Sequence, residues 1–243
     1  MIHTAIITGA SRGIGAALAE EFARNGYQLA LCCSHSQTDL EALAQKLRAQ
    51  YQVDILTAVG DIGDYDFATG FVKQAIETYS NIDVLINNAG ISHIGLLADM
   101  SPEEWEHIIS VNLSSAFFTC KAVIPAMLSR KQGTILNISS VWGNVGASCE
   151  VAYSACKGGI NAFTKALGKE LAPSNIQVNA IACGVIDTAM NACFDEAERA
   201  ALADEIPACR FGKAEEVAHL AMQIATGNPY LTGQVITLDG GWI

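Results

Sequence analysis

A doubly wound α/β fold is the class this sequence predicts: one domain over 1–243, with a parallel seven-stranded sheet and helices on both faces. Three observations predict it. Short apolar, β-branched runs alternate with longer helical patterns from end to end, and such alternation builds right-handed βαβ units around a buried parallel sheet. The composition supplies material for a core covered on both sides: 51% of the 243 residues are hydrophobic and 16% are charged, which argues against disorder. No Pro/Gly/Ser-rich linker, repeat or low-complexity tract divides the chain.

The elements follow in order. The runs Thr4–Thr8, Gln28–Cys33, Ile55–Val59, Val84–Asn87, Gly133–Ser139, Val178–Ala182 and Val235–Leu238 are read as strands. Helices are expected at about 13–25, 39–50, 64–79, 101–129, 152–172 and 214–226. In "DLEALAQKLRAQ", Leu40, Leu43 and Leu47 form one stripe at helical spacing. "MSPEEW" offers Ser101 as N-cap, Pro102 at the first helical position and acids in the first turn. Pro173 marks the end of the helix that begins near 152. In such sheets a ligand sits beyond the carboxyl ends of the strands.

The net charge is −11, with a pI near 4.8. A nucleic-acid partner calls for the opposite sign, and the acidity is read as serving solubility. Eight cysteines include no C-x-x-C pair, and the five histidines show no ligand spacing. No metal is expected, and the thiols are read as small hydrophobes rather than disulfide partners. The chain begins on a strand-like run, without a basic and then apolar leader and without an apolar stretch of 18 residues. A cytoplasmic protein with no membrane contact is expected.

"TGASRGIG" follows the first strand, with Gly9, Gly13 and Gly15 in a G-x-x-x-G-x-G pattern. Glycines there permit a tight turn and close backbone approach to a pyrophosphate resting on the next helix. No G-K-[S/T] follows, so it is not a Walker loop. An NAD-selective site places a carboxylate after the second strand. None occurs before Asp39. Arg12 and Ser34, with His35 and Ser36, offer a cradle for a 2′-phosphate, so NADP(H) is expected over NAD(H). Tyr153 and Lys157 in "YSACK" share a helix face. A nearby ammonium lowers a phenol's pKa, so Lys157 is expected to tune Tyr153.

TGASRGIG, Asp61, "NNAG" at 87–90, Asn112, Ser140 and Tyr153-x-x-x-Lys157, in that order, resemble the short-chain dehydrogenase/reductase family, a Rossmann-type fold. The resemblance covers essentially the whole chain. It implies an NAD(P)-dependent oxidoreductase acting on CH–OH and C=O groups. Tyr153 would be the general acid, and Lys157 would also hold the nicotinamide ribose. Ser140, rather than its neighbour Ser139, would polarise the substrate carbonyl. Asn112 would hold a water relaying protons to Lys157. Gly9, Ser11, Arg12, Gly13, Ile14 and Gly15 would form the cofactor turn. Asp61 and Ile62 would meet the adenine, Asn88, Ala89 and Gly90 would line the cleft, and Ile186 and Thr188 would meet the carboxamide. Cys183 stands where the family usually has Pro, and its presence is expected to loosen that loop. Residues 187–206 would form a helical flap over the substrate, and a homotetramer is implied.

Within the family the chain resembles bacterial 3-oxoacyl-[acyl-carrier-protein] reductases of fatty acid biosynthesis through "NISSVWG", "VIDT" and "LTGQVITLDGG". That resemblance implies a small-molecule or carrier-bound ketone. Arg130 and Lys131 are the candidate docking residues for an acidic carrier, while Ser174 stands where a basic residue is often found. "SSVWGNVGASCEVAYSACKGG" also looks like the reductases that act on a 5-aminopentanone group of elongation factor P. For that substrate Glu150 is a suitable partner for the amine. A hydroxysteroid or secondary-alcohol dehydrogenase is the third reading.

Overall fold

The computed structural model describes residues 3–191 and 194–243. Seven strands, β1 (Thr4–Thr8), β2 (Gln28–Cys33), β3 (Ile55–Val59), β4 (Val84–Asn87), β5 (Gly133–Ser140), β6 (Ile176–Cys183) and β7 (Val235–Leu238), form one parallel sheet in the order β3-β2-β1-β4-β5-β6-β7. The helices are α1 (Gly13–Arg24), α2 (Gln37–Tyr51), α3 (Tyr65–Tyr79), α4 (Pro102–Ile109), α5 (Ser115–Arg130), α6 (Trp142–Val145), α7 (Val151–Leu171), α8 (Glu196–Glu205) and α9 (Ala214–Thr226). The strand order reverses beside β1, so the cleft opens there, past the ends of β1 and β4.

Both sheet faces are buried, which is why the strands read as unbroken apolar runs. Successive side chains point to opposite faces. Ile7, Leu29, Leu31, Ile86 and Ile181 pack with Leu18, Phe22, Leu40, Leu47, Val217 and Met222 of α1, α2 and α9. Ile6, Ala30, Leu85, Ile135 and Val178 pack with Phe71, Val72, Val123, Met127 and Leu167 of α3, α5 and α7.

Two departures from the sequence reading concern the site. The stretch expected as one helix over 101–129 is two helices joined by a π-helical turn, Ser110–Ser114. The Ser101 cap is present, its hydroxyl accepting from the Glu104 N–H. Pro102–Arg130, with mean hydropathy 1.4 over its most apolar window, is long and apolar enough by composition to cross a membrane. In this fold it packs against α3, α7 and β4 as a core segment. Strands β5 and β6 run further than expected, to Ser140 and Cys183, and pair there. The expected flap over 187–206 contains α8, while residues 192 and 193 lie outside the described residues.

Burial raises the thiols of Cys32, Cys120 and Cys183 to about 12. In the unfolded chain they ionise near about 8.5. Between those values the unfolded state has released protons that the folded state keeps, so stability falls as pH rises. Lys157, pushed down to about 8 by burial, opposes this only up to its unfolded value of about 10.4. The urea midpoint under reducing conditions is therefore expected to drop steeply between about pH 10.4 and 12. A flat midpoint over that range would contradict the burial of these thiols.

Candidate active site

The end of β1 is tied to the end of β4. Thr8 Oγ1 accepts from the backbone N–H groups of Asn88 and Ala89, both at 3.0 Å. Asn88 Nδ2 donates back to the Thr8 and Gly9 carbonyls at 2.9 and 3.1 Å. That clamp brings two backbones too close for side chains. A Cβ on Gly15 would lie 2.1 Å from the Gly9 oxygen, and one on Gly9 would lie 2.8 Å from Ala89 Cα, with Gly9 at φ +66°. Thr188 stands over Gly13, whose added Cβ would meet its Cγ2 at 3.4 Å.

Helix α1 starts here with no acid in its first turn and no side-chain cap from Arg12. Its positive end is left for an anion. Ile14 packs against the core beneath the turn. The Ala10 N–H donates to the Cys32 carbonyl at 2.9 Å, and Ser11 reaches Cys33. The glycine turn therefore abuts the end of β2, where Ser34 and His35 are exposed. Asp39 lies beyond, in the first turn of α2. Asp61 is exposed after β3, its carboxylate accepting from the Gly63 N–H at 2.8 Å, while Ile62 is buried in the second core cluster. Crowded glycines, an uncapped helix start and a β2 end without carboxylate fit a phosphorylated dinucleotide.

The second half of the site is built by β5 and α7. Ser140 ends β5, and its Oγ accepts from the Trp142 N–H at 3.2 Å. It lies close enough to the Tyr153 phenol to favour the phenolate. Ser139 is committed elsewhere, donating to Asn161 Oδ1 at 2.6 Å and to the Lys157 carbonyl at 3.3 Å. The neighbouring seryl candidates are thus separated: one hydroxyl faces Tyr153 and the other holds α7. Lys157 is 4% exposed, and its Nζ donates to the Ile138 carbonyl at 2.8 Å. A Cβ on Gly90 would lie 2.7 Å from Asn112 Oδ1 and 3.6 Å from Lys157 Nζ, so these three meet at one point.

The structure bears on four expectations. Burial raises the Tyr153 phenol, with Cys183 and Glu150 adding to the rise and the Ser140 hydroxyl opposing it. Lys157 does not reverse this: its Nζ lies 5.5 Å from the ring centroid, and burial lowers its own pKa to about 8. Two groups that share a helix face in sequence are both desolvated here, and burial is the largest cause of each shift. The Asn112 side chain is engaged by backbone, exchanging 2.9 Å hydrogen bonds with the N–H and carbonyl of Ile91. Cys183 lies in a strand, not in the loop that follows it. It continues β6, and its carbonyl accepts from the Val141 N–H at 2.9 Å. Arg130 and Lys131 precede β5 and stand at the amino-terminal edge of the sheet, opposite the site. Arg130 pairs there with the Asp83 carboxylate at 2.7 Å.

Ile186 is buried and bridges to Gly212, with its carbonyl accepting from Asn191 Nδ2 at 2.7 Å. The sequence reading missed the α6 turn, which is seated on α7. A Cβ on Gly143 would lie 2.6 Å from the Lys157 carbonyl carbon, and Asn161 Nδ2 donates to Asn144 Oδ1 at 2.9 Å. Glu150, just before α7, is half-buried; burial raises its carboxyl, partly offset by the Trp142 indole N–H. No basic side chain pairs with it among the described residues.

Cofactor turn, Ser–Tyr–Lys group and sheet order together define a nucleotide-dependent dehydrogenase. The family model for short chain dehydrogenase matches residues 3–199, and the chain belongs to that family of NAD(P)-dependent oxidoreductases. It is 38% identical over 243 residues to the uncharacterized oxidoreductase YmfI of Bacillus subtilis (strain 168), covering 100% of this chain and 99% of the relative. It is 40% identical over 239 residues to the 3-oxoacyl-[acyl-carrier-protein] reductase FabG of Chlamydia trachomatis, covering 98% and 96%. Among solved structures, YwfH, described as an NADPH dependent reductase involved in bacilysin biosynthesis, superimposes with TM-score 0.95 at 26% identity, covering 100% and 99%. A variant actinorhodin polyketide ketoreductase with NADPH gives 0.94 at 30% identity, covering 99% and 97%.

The position of Arg130 yields a direct test. Arg130→Ala breaks a partly buried, charge-assisted pair far from the site, so it is expected to cost about 1.5–3 kcal/mol of stability. Its kcat/KM should stay within about two-fold of wild type at any salt concentration. A salt-dependent activity loss at unchanged stability would return Arg130 to substrate docking.

Proposed function

We propose that this protein is an NADPH-dependent ketoreductase acting on a ketone held between Ser140 and Tyr153. The observation that carries this reading is the convergence of the Ser140 hydroxyl, the Tyr153 phenol and the buried Lys157 at the ends of β4 and β5. A bound NADPH supplies the hydride. Ser140 donates a hydrogen bond to the carbonyl oxygen and polarises it. Tyr153, kept protonated by burial, gives its proton to that oxygen as negative charge develops. Lys157, held by the Ile138 carbonyl, steadies the ribose hydroxyls and eases the phenolate left behind. Asn112, clamped on Ile91, fixes the wall where a proton-relaying water would sit beside Lys157. Arg12 and Ser34, with no carboxylate in the sequence from Gln28 to Thr38, support NADPH over NADH.

Two substrates suit this chemistry. By their names, relatives at 35–40% identity reduce 3-oxoacyl groups on acyl carrier protein. A ketone bearing a protonated amine, such as the 5-aminopentanone group on elongation factor P, is favoured by a specific observation. Glu150 is a half-buried carboxylate three residues before Tyr153 with no basic partner among the described residues. A buried charge costs free energy unless something pairs with it, and a substrate ammonium is the missing pair. Carrier docking loses its candidates, since Arg130 and Lys131 lie at the far edge of the sheet. The amino ketone is therefore the reading the geometry supports better. The family resemblance adds a homotetramer, for which exposed Phe117 and Leu128 on α5 offer apolar surface.

The two serines test the chemistry. Ser140→Ala is expected to lower kcat by about 10²–10³. Ser139→Ala should keep kcat within a few-fold and lose about 1 kcal/mol of stability. The reverse pattern would assign the carbonyl to Ser139. For the substrate, NADPH oxidation is followed with aminopentanone-bearing elongation factor P and with an acetoacetyl thioester. Glu150→Gln is expected to reduce kcat/KM about 10–150-fold on the first, the effect of one charge-assisted hydrogen bond, and to leave the second nearly unchanged. A loss confined to the thioester would overturn the amine assignment.

A further inference from the structure

Two indoles far apart in sequence meet, and the one on α6 reaches Glu150 through its indole N–H. The rings of Trp142 and Trp242 pack edge to face, with centroids 5.1 Å apart and planes at 62°. Trp142 opens the α6 turn, anchored through its backbone N–H to the Ser140 hydroxyl. Trp242 belongs to a curled carboxyl-terminal tail. The Asp239 carboxylate accepts from the N–H groups of Gly241 and Ile243, both at 2.9 Å. Gly240 and Gly241, at φ 70° and 85°, make the turn. Beneath it, the Ala208 N–H donates to the Gly240 carbonyl at 3.1 Å, and a Cβ on Gly240 would press within 2.9 Å of Ile206. The tail, the segment after α8 and the turn that holds Ser140 thus share one wall. Aromatic faces attract cations within about 6 Å of the ring centre, Trp most strongly.

We propose that Trp142 and Trp242 form, with Glu150, a subsite that takes the cationic end of the substrate. The indoles supply the faces and the carboxylate supplies the charge. Asp239 is a positioning residue, acting by holding the tail that presents Trp242. This inference rests on the amino-ketone reading and extends it to residues on a different part of the chain. It makes the carboxyl terminus a determinant of specificity.

The test uses a ketone with a trimethylammonium group three methylenes from its carbonyl, and its tert-butyl isostere. The quaternary group neither cyclises nor donates a hydrogen bond, so the pair differs chiefly in charge. NADPH oxidation is measured for wild type, Glu150→Gln, Trp142→Phe, Trp242→Leu and Trp242→Phe. Wild type is expected to prefer the cation. Trp242→Leu should lower kcat/KM for the cation roughly 3–30-fold through KM, leave the tert-butyl ketone within two-fold, and be largely rescued by Trp242→Phe. Asp239→Asn should give a weaker version of the same charge-selective loss. Equal losses on both ketones would overturn the subsite and make the tail a structural strap. A selective loss in Glu150→Gln with none in the tryptophan variants would overturn the subsite and leave the amine reading standing. No cation preference in wild type would overturn both. Saturable quenching of indole fluorescence by tetramethylammonium chloride, reduced in Trp242→Leu, is the second measurement; a linear, unchanged response would count against the subsite whatever the variants' folding yield.

Discussion

One buried lysine constrains the whole carboxyl edge of this sheet. Lys157 is 4% exposed, and an ammonium kept from water needs firm partners. It has the Ile138 carbonyl at 2.8 Å, and its own backbone carbonyl receives the Ser139 hydroxyl. Those contacts fix α7 to β5 at one height. Ser140, the next residue along, consequently faces Tyr153, one turn back on α7. Gly143 has no side chain because the α6 turn rests on Lys157 itself. The π-helical turn before α5 completes the enclosure by bringing Asn112 against Ile91 and Gly90. Serine, phenol and ammonium thus owe their arrangement to the anchoring of one charge.

The same layer contains a polar network inside an otherwise apolar core. Asn87 Nδ2 donates to Asn137 Oδ1 at 2.9 Å, Asn137 Nδ2 donates to Thr164 Oγ1 at 2.8 Å, and Thr119 Oγ1 donates to Asn87 Oδ1 at 2.7 Å. No buried side-chain polar atom lacks a partner among the described residues. Fully satisfied networks of this kind set register where apolar packing alone tolerates sliding. This one ties β4 and α5 to β5 and α7, and the last two bear Ser140, Tyr153 and Lys157.

Charge is divided between the two ends of the sheet. At the amino-terminal edge Arg130 neutralises Asp83, which also accepts the Thr4 N–H that starts β1. That pair is structural. At the carboxyl edge an uncapped helix start faces the anion side of the cleft, and Glu150 faces the substrate side without a basic partner among the described residues.

By itself the sequence determined the strands, most of the helices and the order of the motifs. Buried parallel strands are uninterrupted apolar runs, and five of the seven match the sequence reading at both ends. Glycines forced by backbone contact and a Tyr and Lys on one helix face are local features, legible without a partner. Tertiary structure decided whatever depended on a residue distant in the chain. The π-helical turn is set by the hold of Asn112 on Ile91, which helical periodicity between 101 and 129 does not register. The family resemblance chose Ser140 over Ser139, but the physical reason, the hold of Asn161 on the Ser139 hydroxyl, exists only in the fold. Arg130 looked like a docking residue until the sheet placed it at the opposite edge. The Tyr153 phenol rose rather than fell because spacing reports which charges are near, while burial sets how much each charge costs, and burial exists only after the chain has folded.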